Sequence, residues 1–114
     1  MKMSRKGIID REKLRRKFNP HSPEKFIDDC RFGIADLMEN NIPIYNDGHS
    51  RYKMVQLIQN YLNSFPRHSY SEYLVICDER NNPPNIINTM MNCIVYIKLH
   101  RRISDFTLDF SIAL

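Results

Sequence analysis

Apolar residues recur at helical spacing in two stretches of the chain and at every second position in the part that follows. Phe26, Ile27, Cys30, Ile34, Leu37 and Met38 follow the i, i+1, i+4, i+8, i+11, i+12 series of an amphipathic helix. Its start is marked by Ser22 as a cap, Pro23 at the first helical position and Glu24 against the helix dipole. Asn40-Asn41 end it, and Pro43 prevents resumption. A short extended stretch is predicted from Ile42 to Tyr45, stopped by the turn residues Asn46-Asp47-Gly48. Met54, Val55, Ile58, Tyr61, Leu62 and Phe65 then form a second helical stripe, with Ser50 as the predicted cap and Pro66 closing it.

Beyond Pro66 the period becomes that of strands. Tyr70 to Asp78 is apolar enough to predict a central strand covered on both faces. Asn81-Asn82-Pro83-Pro84 cannot lie inside a strand, because consecutive prolines donate no ladder hydrogen bonds. Cys93 to Leu99 reads as a second strand. Asp105 to Ile112 reads as a third, with Phe106, Leu108, Phe110 and Ile112 inward and Thr107, Asp109 and Ser111 outward. The short interval between these two forces an antiparallel pair. The last residues, Phe110-Ser-Ile-Ala-Leu114, carry no turn, charge or proline to blunt a sheet edge, a feature that monomeric proteins normally avoid.

Composition bounds what such a chain can be. Its 114 residues suffice for one modest core, and 42% hydrophobic content with six Phe and six Tyr argues against disorder. No apolar run approaches the roughly 18 residues of a membrane-spanning helix. The net charge of +4 is concentrated in residues 1 to 20, which carry eight Lys/Arg against two acids, while the remainder carries nine against eleven. The chain thus divides into a basic arm, 1 to 20, and a single domain, 21 to 114. Met1 to Asp10 lacks the apolar stretch and small-residue cleavage site of a secretion signal, so assembly in a cytoplasm is expected. The odd number of cysteines, Cys30, Cys77 and Cys93, suits buried reduced thiols better than a disulfide framework.

Candidate chemistry is sparse. Asp78-Glu79 sits at a strand end but lacks an acid partner across a cleft, and the three His-Ser pairs lack a nucleophile elbow. The four histidines and three cysteines show no ligand spacing for a metal, and the three glycines are too isolated for a phosphate loop. No cofactor and no enzymatic activity are expected. The basic arm allows a second class, a small nucleic-acid-binding protein, which would lose affinity steeply with salt.

Val75-Ile-Cys-Asp-Glu-Arg-Asn-Asn-Pro-Pro-Asn-Ile-Ile87 and Tyr96-Ile-Lys-Leu-His-Arg-Arg-Ile-Ser-Asp-Phe-Thr-Leu-Asp-Phe110 resemble the C-terminal domain of contractile phage tail sheath proteins. That family has a strand ending in Cys-Asp, a Glu/Asn/Asn/Pro loop, a hydrophobic strand ending in Ile-Lys-Pro, and a final strand alternating to an aromatic. The resemblance covers about residues 25 to 112. It departs at Leu99, where the family has Pro, and in length, since sheath proteins are several times longer.

The expected fold is α+β, with two amphipathic helices on a small mixed or antiparallel sheet whose open edge takes a strand from another subunit. The resemblance implies a structural virion protein of the tail, acting as a connector at the baseplate or at the neck. Its expected partners are sheath, baseplate or neck proteins, arranged as a sixfold homo-oligomeric ring. Ile8, Ile9, Arg101, Arg102, Phe110, Ile112 and Leu114 are the expected subunit contacts. Asp78, Asn81, Asn82 and Pro83 are expected to shape the loop.

Overall fold

The computed structural model describes residues 23 to 66, 69 to 99 and 105 to 114, with the side chains of residues 23 and 24 excepted. Two helices precede three strands: α1 (Pro23–Glu39), α2 (Gly48–Asn63), β1 (Glu72–Ile76), β2 (Met90–Lys98) and β3 (Asp105–Ala113). The sheet is antiparallel throughout, in the order β1-β2-β3. The domain is therefore α+β.

Both helices lie on the same face of the sheet, because each has one apolar stripe to bury and together they supply one layer. Phe26, Ile27, Cys30, Ile34 and Met38 of α1 and Met54, Ile58 and Leu62 of α2 meet Val75, Cys77, Met91, Cys93, Val95, Ile97, Leu108, Phe110 and Ile112 in one core. α1 lies against β3, and α2 against β1. The segment after α2 is held by an aromatic cluster in which Phe26 meets Phe65 edge-on at 5.0 Å and stacks on Tyr70 at 5.8 Å. The Tyr70 hydroxyl donates to Leu62 O, which satisfies a carbonyl at the end of α2.

The helices cross at Gly33. A Cβ built there would overlap the hydroxyl and Cζ of Tyr61, whose hydroxyl donates to Asp29 O at 3.0 Å. Gly33→Ala will therefore destabilise the fold. The gain from replacing glycine inside a helix is at most about 1 kcal/mol, whereas overpacking costs about 1–3 kcal/mol. Urea denaturation should show a net loss of up to about 2 kcal/mol. Adding Tyr61→Ala should make the two substitutions strongly non-additive, since the second removes the atoms that clash with the first.

Four sequence expectations are corrected. β1 is an edge strand, and the central strand is β2, which pairs on both sides. Leu74 of β1 is 56% exposed, because the helices cover only one face. α2 begins a turn earlier than Ser50 implies: Asp47 is the cap, and its carboxylate accepts from Ser50 N at 2.8 Å. That bond, from the third helical residue back to the cap, is the usual capping geometry. Ile42 to Tyr45 is no strand, since no neighbour among the described residues pairs with it, and Ile44 stands 84% exposed. β2 starts at Met90 rather than Cys93, because β3 extends far enough to pair Ala113 with Met90. Ser22, the expected cap of α1, lies outside the described residues. At the other end of α1, Asn41 closes the helix by donating its side-chain amide to Leu37 O at 2.8 Å.

Candidate functional site: an asparagine-braced loop and an unpaired strand edge

Regular pairing of β1 with β2 stops at Ile76 and Ile94, yet the main chain beyond it is not left without partners. Asparagine side chains stand in for the missing ladder. Asn81 takes Asp78 N on its Oδ1 at 3.0 Å and donates through Nδ2 to Ile76 O at 3.0 Å and Asn92 O at 3.2 Å. Asn82, buried, accepts from Asn92 N at 2.8 Å and donates to Asp78 O and Asn92 O, each at 3.0 Å. A primary amide suits this place because it carries two donors and an acceptor in one plane, as a peptide does.

The brace extends to the helical layer and to β3. Asn46, also buried, donates to Asn82 Oδ1 at 2.9 Å and to Met90 O at 2.8 Å. Arg51 of α2 in turn donates to the carbonyl and the side-chain oxygen of Asn46. Asn92 donates to Asn81 O, and its own Oδ1 accepts from the Ser111 hydroxyl on β3. One polar network thus fastens the turn before α2, the β1–β2 loop and two strands. Networks of this kind are fully effective only when every buried member is partnered.

Of the loop residues expected from the sequence, Asn81 and Asn82 lie inside the network. Asp78 forms its outer wall: its carboxylate accepts from Arg80 N at 2.9 Å and from the Arg80 guanidinium through both oxygens. Those side-chain bonds, more than the backbone bond and the nearby charges, hold its carboxyl below the ordinary carboxylate range. Pro83 begins the following turn, where its carbonyl accepts from Ile86 N. Asn46, Arg51, Asn92 and Ser111 escaped sequence reasoning. Asn46 looked like an ordinary turn residue, and with eleven Asn in the chain no single one stood out.

β3 supplies the second feature. Leu114 N donates to Thr89 O at 3.0 Å, continuing the β2–β3 register one step past Ala113. Antiparallel geometry alternates the direction of main-chain groups, so Phe106, Leu108, Phe110 and Ile112 point their N–H and C=O toward β2. Those of Thr107, Asp109, Ser111 and Ala113 point outward. Among the described residues no strand pairs with that outer edge.

The expected subunit contacts fall into three groups. Ile8, Ile9, Arg101 and Arg102 lie outside the described residues. Phe110 and Ile112 are buried in the protein's own core, so their side chains cannot be the contact surface; only the main chain of their strand faces outward. Leu114 is 36% exposed at the strand's end. The sheet face away from the helices carries Leu74 opposite Tyr96 and Ile76 opposite Ile94, an apolar strip partly open to solvent.

Among the described residues there is no group of three or more side chains able to hold a metal ion. No helix among them is long and apolar enough to cross a membrane. Comparison with protein-family models, with curated proteins and with solved structures found no match to this chain.

Proposed function

We propose that this protein is a non-enzymatic structural subunit of a contractile phage tail or a related injection machine, a short sheath-like connector at the baseplate or the neck. It joins its neighbours in a virion ring by main-chain pairing along the outer edge of β3. The observation that carries this reading is that edge: nine residues without proline, glycine or lysine, unpaired among the described residues. Exposed edges of this length invite a partner strand, and strand addition draws its affinity from main-chain hydrogen bonds. The asparagine network suits the same role, because it anchors β2, and through Ser111 also β3, to the helical layer while an added strand pulls on the sheet. The resemblance of residues 75 to 110 to sheath C-terminal domains supplies the kind of partner: sheath, baseplate or neck proteins.

Proline at an outward-facing position tests this reading. Thr107→Pro and Asp109→Pro each remove an N–H that points away from β2, so the β2–β3 ladder keeps its bonds, and proline is tolerated at such edge positions. Circular dichroism and thermal melting should show a folded domain for both variants. Incorporation into tail particles, followed by particle reconstruction, should drop to background, whereas the unaltered chain should form a ring in sixfold register with the sheath. Folded proline variants that still assemble at normal occupancy would remove the edge from the interface.

A further inference from the structure

Cys77 and Cys93 face one another where β1 gives way to the loop. The register that pairs Ile76 with Ile94 places Cys77 opposite Cys93 one step further along. Both side chains point to the helix-covered side and are buried. The two thiols are close enough that each is the largest influence on the titration of the other. At the last paired position beside them, Ile76 and Ile94, the Cα atoms of the two strands are about 4.5–5.5 Å apart, and protein disulfides span about 4.4–6.8 Å. Cys77 also borders an open cleft of about 340 Å³ that it shares with Gly48, Arg51, Asp78, Glu79 and Arg80. The pair is therefore positioned for a bond, and one of its residues borders a cleft open to solvent.

We propose that Cys77 and Cys93 are an oxidisable dithiol, which a peroxide entering through this cleft converts into an intramolecular cross-strand disulfide. In the first step the Cys77 sulfur attacks one peroxide oxygen and the O–O bond breaks. The departing hydroxide takes up the Cys77 proton and leaves as water, and Cys77 becomes a sulfenic acid. In the second step the Cys93 sulfur attacks the Cys77 sulfur, the S–S bond forms, and the S–O bond breaks. Hydroxide leaves with the Cys93 proton as a second water, so two thiols have reduced one peroxide.

The surroundings assign the order of the steps. The neighbouring Cys93 thiol is the largest influence lowering the Cys77 pKa, and the positive charge of Arg51 and the amide of Asn82, 4.0 Å from the sulfur, add to it against the opposing effects of burial and Asp78. Cys93 moves in the other direction, because of the Cys77 thiol beside it and its own burial. Cys77 lines the cleft whereas Cys93 is fully buried, so peroxide reaches Cys77 first and Cys93 resolves. Cys30 serves as an internal control: burial, reinforced by Asp29, pushes its thiol up to about 12, and it stays protonated. The bond would tie the end of β1 to β2 beneath the asparagine loop. This inference is independent of the tail reading.

The test uses the full chain, treated with hydrogen peroxide at neutral pH and then denatured for thiol counting and peptide mapping. Two of the three thiols should disappear together into one Cys77–Cys93 linkage, Cys30 should remain free, and dithiothreitol should restore both. Cys30→Ala should leave this result unchanged. In Cys93→Ser, which keeps a hydroxyl donor beside Cys77 but removes the resolving sulfur, Cys77 should accumulate as a sulfenic acid that dimedone traps at least about 10-fold faster than it traps Cys30 in the same chain. Three free thiols after a treatment that fully oxidises glutathione in the same buffer would overturn the proposal. So would a linkage that includes Cys30 or joins two molecules.

Discussion

A chain ending at Leu108 will not fold. If residues 109 to 114 served assembly alone, their removal would abolish assembly and leave an intact monomer. Their side chains decide otherwise. Phe110 and Ile112 are 9% and 7% exposed and belong to the single core, beside Met91 and Cys93 of the central strand. Deleting a buried Phe side chain costs about 3–5 kcal/mol and a buried Ile about 2–5 kcal/mol, against a total stability of about 5–15 kcal/mol for a typical domain. The truncation also strips the β3 partners from Met90 to Ile94 and exposes their main chain. The expected result is loss of the cooperative thermal transition by circular dichroism, with collapsed dispersion in the amide spectrum. A truncated chain that melts cooperatively would show that this half of β3 is peripheral to the core. The proline variants are the cleaner probe of assembly, because they act on the one side of β3 that the core does not use.

Replacing Asn82 with Ala should lower the unfolding free energy by about 3 kcal/mol. Asn82 is almost fully buried, and its amide serves Asn92 N, Asn92 O, Asp78 O and Asn46 at once. The substitution leaves Asn92 N–H without its acceptor and Asp78 O without this donor, and each buried group left unsatisfied costs about 1–3 kcal/mol. Asn81→Ala should cost less, because Asn81 is only half-buried and water can reach the groups it leaves. Asn82→Asp is the sharper comparison. It keeps the shape and the acceptor for Asn92 N, but it removes both donors and sets a negative charge against the carbonyls of Asp78 and Asn92. It should destabilise at least as much as Ala. Urea denaturation of the three variants gives the ranking; an Asn82→Ala protein within 1 kcal/mol of the parent, roughly a single hydrogen bond, would mean that the network is not what holds the loop.

How much of this was legible depends on the kind of residue. The helical stripes of α1 and α2 could be read because burying one face imposes a period of 3.6 residues, and Ile34, Met38, Met54, Ile58 and Leu62 all fall in the core. The inward positions of β3 could be read for the same reason at a period of two: Leu108, Phe110 and Ile112 are buried, with Thr107, Asp109 and Ser111 exposed. Strand order could not be read in the same way. An apolar run such as Tyr73 to Cys77 reports how much surface wants covering without saying which strands lie beside it. Here the covering comes from one layer only, and Leu74 is left in solvent.

The loop divides similarly. That Asn81-Asn82-Pro83-Pro84 would be a turn followed from proline's missing donor, a property of the residue itself. That Asn82 would pair with Asn46, 36 positions earlier, depended on the packing of α2 bringing the turn before it to the loop after β1.

The sequence by itself determined the α+β class, the two helices, the antiparallel β2–β3 hairpin and the inward face of β3, because periodicity and proline chemistry act over a few neighbouring residues. Tertiary structure alone decided that β2 is central, that Asn46 and Asn82 share one buried network, that Cys77 meets Cys93, and that β3 is both core and open edge. Those outcomes rest on contacts between segments distant along the chain, and such contacts are fixed only when the one helical layer settles on one face of the sheet.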